Sequence, residues 1–303
     1  MSELDGKVAI VTGAGRGLGR EEAMDLAAHG ARVVVNDIDL PDAKEAAEQT
    51  VEDIKASGGE AILVLGDCAS TEDAQQLFKT TLETYGDMNI MINNAGFLRD
   101  KTIFSMSDEE FDSVVRVHLR GHFVNMRNAT AYWRGKAKAG EQVYGRLIST
   151  SSEAAIYGSA GQPNYAAAKS GIVAMTMGAA QLMIKYGITC NVIMPRALTD
   201  MTMQGPTAAM FKAPEEGFHQ FDPANVAPLV TYLSSPRAGH IAGEVFIAWG
   251  NQVSVVKRPE PREPHVNPEG GTKWTLDTLD ESLSTFFDES HVPVRDGFSL
   301  PIG

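Results

Sequence analysis

The stretch Val8-Ala9-Ile10-Val11-Thr12-Gly13-Ala14-Gly15-Arg16-Gly17-Leu18-Gly19 carries the most information about the fold. Its four leading apolar residues read as a buried strand, and the glycines turn the chain sharply into a helix beginning near Leu18. Without side chains, glycines let the backbone approach a ligand, while the free N–H groups at the helix start carry partial positive charge. Strand, glycine turn and helix N-terminus in that order make a pyrophosphate site, with Gly13, Arg16, Gly17, Leu18 and Gly19 as its expected residues. The spacing is T-G-x-x-x-G-x-G, because Leu18 stands where a G-x-G-x-x-G pattern has its third glycine. A glycine loop alone also suits a plain tight turn; the flanking strand and helix favour a cofactor.

Working outward, short apolar runs alternate with helical patterns from Val8 to about Trp249. Seven strands are expected, at Val8–Val11, Ala31–Asn36, Ala61–Leu65, Ile90–Ile92, Arg146–Ser149, Ile188–Ile193 and Val245–Ala248. This βαβα rhythm predicts an α/β, doubly wound parallel sheet with helices on both faces, occupying residues 1–250. Between the second and third strands, Pro41 and Gly58-Gly59 bracket an acidic, alanine-rich helix whose charges face water. After Gly250, Pro259, Pro261, Pro264, Pro268, Pro293 and Pro301 punctuate a chain with helical periodicity only over Leu276–Phe287. Residues 251–303 are therefore read as a C-terminal extension packed on the domain or on a neighbouring subunit. Disorder is the alternative, but Trp274, Leu276, Leu279, Leu283, Phe286 and Phe287 are more apolar than disorder usually allows.

The 303 residues carry 26 Lys plus Arg against 39 Asp plus Glu, a net charge of −13 that repels nucleic acid and anionic membrane surfaces. Cys68 and Cys190 are too few for a disulfide framework or a cysteine-based zinc site. The start Met1-Ser2-Glu3-Leu4-Asp5 is acidic, with no basic segment or long apolar run, so a soluble cytoplasmic protein without membrane insertion or a bound metal is expected.

Asp37 closes the second strand, 18 residues beyond Gly19, where a carboxylate accepts hydrogen bonds from both hydroxyls of an adenosine ribose. A 2′-phosphate there meets like charge, which favours NAD over NADP; Arg16, able to grip such a phosphate, argues the other way. Tyr165 and Lys169, four residues apart in a helix started by Pro163, emerge on one face. An ammonium beside the phenol, and the positive charge of a nicotinamide, are expected to lower its pKa from about 10 toward that of a usable base. Ser152, 13 residues upstream of Tyr165, is placed to hydrogen-bond a substrate oxygen. Singly, the three read as a turn cap, a core aromatic and a solvated cation; their joint spacing behind a cofactor loop points to catalysis.

Together these residues resemble the short-chain dehydrogenase/reductase family over about residues 5–250. The resemblance rests on the T-G-x-x-x-G-x-G loop, Asp67, Asn93-Asn94-Ala95-Gly96, Ser152 and Tyr165-x-x-x-Lys169. It implies a seven-stranded Rossmann-like sheet and homodimers or homotetramers. It further implies Tyr165 as acid/base, Ser152 as the group orienting the substrate oxygen, and Lys169 on the nicotinamide ribose. Asp67 and Cys68 would flank the adenine, Asn94, Ala95 and Gly96 the middle of the cofactor, and Thr199 the carboxamide. Two positions depart from the family pattern. His118, in Val117-His118-Leu119-Arg120-Gly121, stands where the family has an asparagine that helps hold a proton-relaying water, and Pro195-Arg196 replaces Pro-Gly. An imidazole can relay protons too, so His118 is a candidate catalytic residue; a histidine simply hydrogen-bonded among the helices is the other reading.

Val117–Phe123, Asn93–Asp100, Val34–Asp37 and Gly158–Tyr165 also look like the dehydrogenase unit of peroxisomal multifunctional β-oxidation enzymes, a unit also called 17β-hydroxysteroid dehydrogenase type 4. That resemblance implies NAD-dependent oxidation of a (3R)-hydroxyacyl-CoA to the 3-oxoacyl-CoA, or action on a steroid. From a different class, a nucleotide-binding scaffold without chemistry is disfavoured by the intact Ser152, Tyr165 and Lys169. Met194, Met201, Met203, Met210 and Phe211, around Gly205-Pro206, suit either an apolar substrate or core packing. Arg99, Lys101, Arg196 and Lys212 are candidate partners for the phosphates of coenzyme A.

Overall fold

The computed structural model describes residues 2–204, 211, 213–214, 216–257, 264–266 and 273–286; Gly205-Pro206, Met210, Lys212, Phe287 and the prolines at 259, 261, 268, 293 and 301 lie outside them. Among the described residues, eight strands form one sheet: β1 (Val8–Thr12), β2 (Arg32–Asp37), β3 (Glu60–Leu65), β4 (Ile90–Asn93), β5 (Arg146–Thr150), β6 (Thr189–Pro195), β7 (Val245–Trp249) and β8 (Gln252–Val255). The order is β3-β2-β1-β4-β5-β6-β7-β8. All pairs are parallel except β7 with β8. The seven expected strands are present with ends shifted by a residue or two, and the α/β doubly wound class holds.

Strand periodicity divides the apolar residues between two faces. Ala9 and Val11 of β1 point to a core shared with Ala23 and Leu26 of α1 (Gly17–Ala28), Val51 and Ile54 of α2 (Pro41–Ala56), and Val230 and Leu233 of α8 (Ala227–Ser234). Val8 and Ile10 point the other way. They meet Leu77 and Phe78 of α3 (Thr71–Tyr85), Met126 and Trp133 of α5 (Gly121–Lys138), and Ala180 and Met183 of α7 (Pro163–Met183). The valine, leucine, isoleucine, phenylalanine and methionine side chains among them each contribute about 1.5–3 kcal/mol of transfer free energy when fully buried. Helix starts follow local chemistry: Ser70 caps α3 by accepting from the Asp73 N–H, and Ser107 with Glu110 forms a capping box on α4 (Asp108–Val115). The charges of α2 face solvent, as its pattern predicts. With its short continuation to Tyr186, α7 has the length and mean hydropathy (1.2) of a membrane span; Ala180 and Met183 join the core against the sheet, while Leu182 and Ile184 are exposed.

The eighth strand departs from expectation. Gly250 and Asn251 form a two-residue connection, Gly250 at φ +52°, and Trp249 pairs with Gln252, so β8 runs back along β7 and the sheet continues to Val255 rather than ending at 250. The strand is short, lies at the edge and exposes every residue, including Val253 and Val255, so it lacks the buried alternation that marks the others. Residues 257–303 form a separate unit, in which α9 (Leu276–Phe286) is the described helix, begun by reciprocal bonds between Thr275 and Thr278.

Parallel order places all loops after the strands on one edge, with the crevice between β1 and β4, where the chain reverses direction across the sheet. On α1, Glu22 is fully buried and neither carboxylate oxygen has a hydrogen-bond partner. Burial pushes its pKa up to about 8 from 4.5. Between those values the folded protein binds the proton more tightly than the unfolded chain, so the stability this provides is present in full below pH 4.5 and is lost as pH rises toward 8. Glu22→Gln, which stays neutral, should therefore match the wild type in urea denaturation near the lower pH and exceed its stability at the upper one. Parallel stability curves across that range would contradict the buried-carboxyl assignment.

Candidate active site

At the end of β1, the glycine loop folds against the β4 loop. Thr12 Oγ1 accepts from the N–H groups of Asn94 and Ala95 (3.1 and 3.2 Å), and Asn94 Nδ2 donates to the carbonyls of Thr12 and Gly13, both 3.1 Å. Gly13 has φ +63°, and a Cβ there would lie 2.8 Å from Ala95 Cα. A Cβ on Gly19 would collide with the Gly13 carbonyl, so the first turn of α1 sits directly beneath the loop. Gly17, at φ +52°, faces Thr199, whose Cγ2 would be 3.3 Å from an added Cβ; the two segments meet although 182 residues separate them in sequence. The Leu18 side chain packs against the core, leaving only its backbone to the loop.

Asp37 closes this cradle. Its Oδ2 accepts from the Gly15 N–H and its Oδ1 from the Ile38 N–H, both at 2.9 Å, which leaves further lone pairs on each oxygen. Burial raises its pKa, opposed by these bonds and by the Arg16 guanidinium. Arg16, the loop's positive charge, offsets the effect of burial on Asp37 only in part. Its Nη2 meanwhile donates to the Asp42 carbonyl at 2.6 Å, and the side chain is exposed. Glycines where side chains cannot fit, beside a helix N-terminus and a carboxylate at the end of β2, fit a dinucleotide.

Tyr165 and Lys169 lie on α7 one turn apart, with Lys169 Nζ 5.3 Å from the centre of the phenol ring. Lys169 is 2% exposed; its amine donates to the Thr150 carbonyl at 2.6 Å, and its own carbonyl accepts from Ser151 Oγ at 2.9 Å. Ser152 Oγ accepts from the Ala154 N–H at 3.2 Å, and the side chain is near enough to the Tyr165 phenol to act against the rise of its pKa. The three side chains therefore converge. Their electrostatics differ from the sequence expectation: burial pushes the Tyr165 phenol up to about 12, with Ser152 working to lower it, and pushes Lys169 down to about 7. A buried amine near neutrality supplies too little positive charge to outweigh the cost of burying a phenolate.

His118 lies in a π-helical segment, Arg116–Arg120, between α4 and α5. That wider turn directs its ring to Tyr165, edge to face with centroids 5.1 Å apart. Nε2 is 2.8 Å from the Phe97 carbonyl and 3.2 Å from the Phe97 N–H, while buried Nδ1 has no partner. Burial, then Lys169, holds the imidazole well below its usual pKa, so the ring is neutral. Gly96 lacks a Cβ where one would overlap this ring.

Asp67 and Cys68 lie on the loop after β3. Asp67 pairs with Arg116 at 2.6 Å and accepts from the Ala69 N–H at 2.8 Å. Burial pushes the Cys68 thiol up to about 12. Among the candidate phosphate partners, Arg99 and Lys101 are exposed, and Lys212 lies outside the described residues. Arg196 is instead held by Glu153 in a nearly buried bidentate pair, so its charge is already matched. Met194 is core, Met201 is half-buried, Met203 is 57% exposed, and Phe211 packs on Phe221.

Several structural partners are not apparent from the motifs. Asn164, fully buried, donates from Nδ2 to the carbonyls of Arg99 (3.1 Å) and Glu110 (2.9 Å) and accepts the Tyr165 N–H at 2.7 Å. Its place between Pro163 and Tyr165, at the start of a helix, was the available signal. His122, one turn beyond His118, is also buried and is held down to about pKa 3, chiefly by burial.

The family model for short chain dehydrogenases matches residues 7–209. Hydroxyacyl-CoA dehydrogenase ChsB1 of Mycobacterium tuberculosis is 45% identical over 293 residues, covering 94% of this chain and 90% of that protein. Peroxisomal multifunctional enzyme type 2 of Mus musculus is 37% identical over 275 residues; the match covers 86% of this chain but spans only 35% of that enzyme's length. A crystal structure of a short chain dehydrogenase from Mycobacterium avium superposes with a TM-score of 0.85 at 40% identity, covering 97% of this chain and 99% of that one. The likeness extends through the glycine loop and the Tyr165 helix and takes in nearly the whole chain, so the chain belongs to the short-chain dehydrogenase family, oxidoreductases of CH–OH groups that use NAD or NADP.

Proposed function

We propose that this enzyme oxidises (3R)-hydroxyacyl-CoA to 3-oxoacyl-CoA with NAD. The observation that carries the reading is the convergence of Ser152, Tyr165 and Lys169 beside the glycine cradle. The substrate class is supported by the resemblance to a hydroxyacyl-CoA dehydrogenase over nearly the whole chain. When bound, the oxidised nicotinamide supplies the hydride acceptor and a positive charge near the phenol. Tyr165, after its own proton has left by way of the Lys169 amine, takes the proton of the substrate hydroxyl as the carbinol C–H bond breaks and the C=O double bond forms. Ser152 holds the oxygen through both states, and Lys169 holds the ribose side of the cleft. His118, with its neutral ring against Tyr165 and Nδ1 unpaired, is proposed to pass protons on from Lys169. Asp37 selects NAD by repelling a 2′-phosphate. A homodimer or homotetramer belongs to the same proposal, supported by exposed Phe111 and Phe123 on α4 and α5.

Tyr165→Phe should lower kcat with a 3-hydroxyacyl-CoA by at least about 100-fold, the scale of acid–base catalysis, while calorimetry shows NAD binding nearly unchanged. Retention of most activity would remove Tyr165 from proton transfer, and faster turnover of an estradiol-like steroid in a parallel assay would move the substrate assignment to steroids. Asp37→Ala should shift the NAD-to-NADP ratio of kcat/KM toward NADP by roughly 100-fold, since like charges in contact cost several kcal/mol. An unchanged ratio would place cofactor selection elsewhere. His118→Ala should slow turnover about 10-fold or more, and His118→Asn, which restores an amide at this position, should recover most of it. Equal activity in the wild type and both variants would leave His118 a packing residue.

A further inference from the structure

Ser152 stands in a segment with little order of its own. It lies two residues past β5 and leads into α6 (Ala154–Tyr157), a single turn too short to be stable alone, closed by Gly158 at φ +75°. Glu153, the residue before that turn, makes no capping bond with its side chain. Its carboxylate reaches instead to Arg196, just past β6: Nε to Oε2 at 2.6 Å and Nη2 to Oε1 at 2.7 Å, with the two side chains 7% and 10% exposed.

Arg196 is itself anchored. Its backbone N–H donates to the Ala248 carbonyl of β7 at 3.0 Å, and its guanidinium lies 5.2 Å over the Trp249 ring. Trp249 in turn stacks on Phe221, 5.5 Å away and 14° from parallel, and Phe221 meets Phe211 edge to face. A planar guanidinium binding both carboxylate oxygens fixes orientation as well as distance, which a lysine does not. Buried ion pairs add little net stability over an apolar replacement, so geometry is what this one is suited to provide. The loop beginning at Arg196 also leads to Thr199, beside Gly17.

We propose that the Glu153–Arg196 pair is a positioning clamp that holds Ser152 against Tyr165, tying the loop that orients the substrate oxygen to the wall formed by β6, β7 and Trp249. Neither residue touches the reacting atoms; both act through Ser152. The inference rests on the catalytic roles proposed above for Ser152 and Tyr165.

The test separates positioning from folding. Arg196→Met leaves the buried Glu153 carboxylate without its bidentate partner and should lower both Tm and kcat, whereas Glu153→Met/Arg196→Met removes both charges and should restore Tm. The clamp predicts that kcat of this double variant stays down by about 100-fold, the scale of misplacing an aligned group, with KM for NAD unchanged. The primary deuterium isotope effect on kcat should rise as hydride transfer becomes limiting. Arg196→Lys, which keeps the charge but loses the fork, should fall between. Recovery of kcat together with Tm in the double variant would overturn the clamp, as would a crystal structure of that variant with Ser152 in its wild-type place beside Tyr165. That structural reading needs no substrate. Failure of the wild type to oxidise a 3-hydroxyacyl-CoA would therefore refute the substrate assignment, while the position of Ser152 still judges the clamp.

Discussion

The hydrogen bond from the Lys169 amine to the Thr150 carbonyl, 2.6 Å long and sealed from solvent, joins α7 to the sheet. An amine buried this deeply needs a partner, and the end of β5 provides one. Ser151 closes the connection from the other side by donating to the Lys169 carbonyl. Helix α7 is thereby held in one rotation about its axis and one height along β5. Tyr165, one turn earlier, then faces Ser152, and the His118 ring meets the phenol edge-on. The same burial that creates this order keeps the phenol protonated and the amine near neutrality.

A second constraint is close backbone approach. Gly13 against Ala95, Gly19 under Gly13 and Gly96 against His118 are three places where a single added carbon has no room. They lie where the β1 and β4 loops diverge at the reversal of sheet order, so the glycine loop and the Ser152, Tyr165 and Lys169 cluster share a wall. The π-helical turn at Arg116–Arg120 serves the same end. Its wider pitch swings His118 inward to fill the space that Gly96 leaves.

Much of this arrangement was legible in the linear chain. Buried parallel strands are continuous apolar runs, and the glycine loop, Asp37 and the Tyr165–Lys169 spacing are local patterns whose geometry follows from helix and strand periodicity. β8 was not legible, because an exposed edge strand has no buried face to imprint a pattern. Nor was the direction of the pKa shifts, since the sequence shows which charges are near in number but not how much solvent has been removed from them.

What the sequence by itself determined is therefore the class of sheet, the cofactor turn and the identities of the residues that meet at its edge, all set by interactions within a few residues along the chain. Only the tertiary structure decided the pairing of Arg196 with Glu153, the placing of Thr199 beside Gly17, the ring-to-ring contact of His118 with Tyr165 and the dry setting of Lys169. Each depends on segments brought together by the packing of separate strands and helices. Distance, orientation and loss of water are properties of that packing rather than of any one stretch of chain.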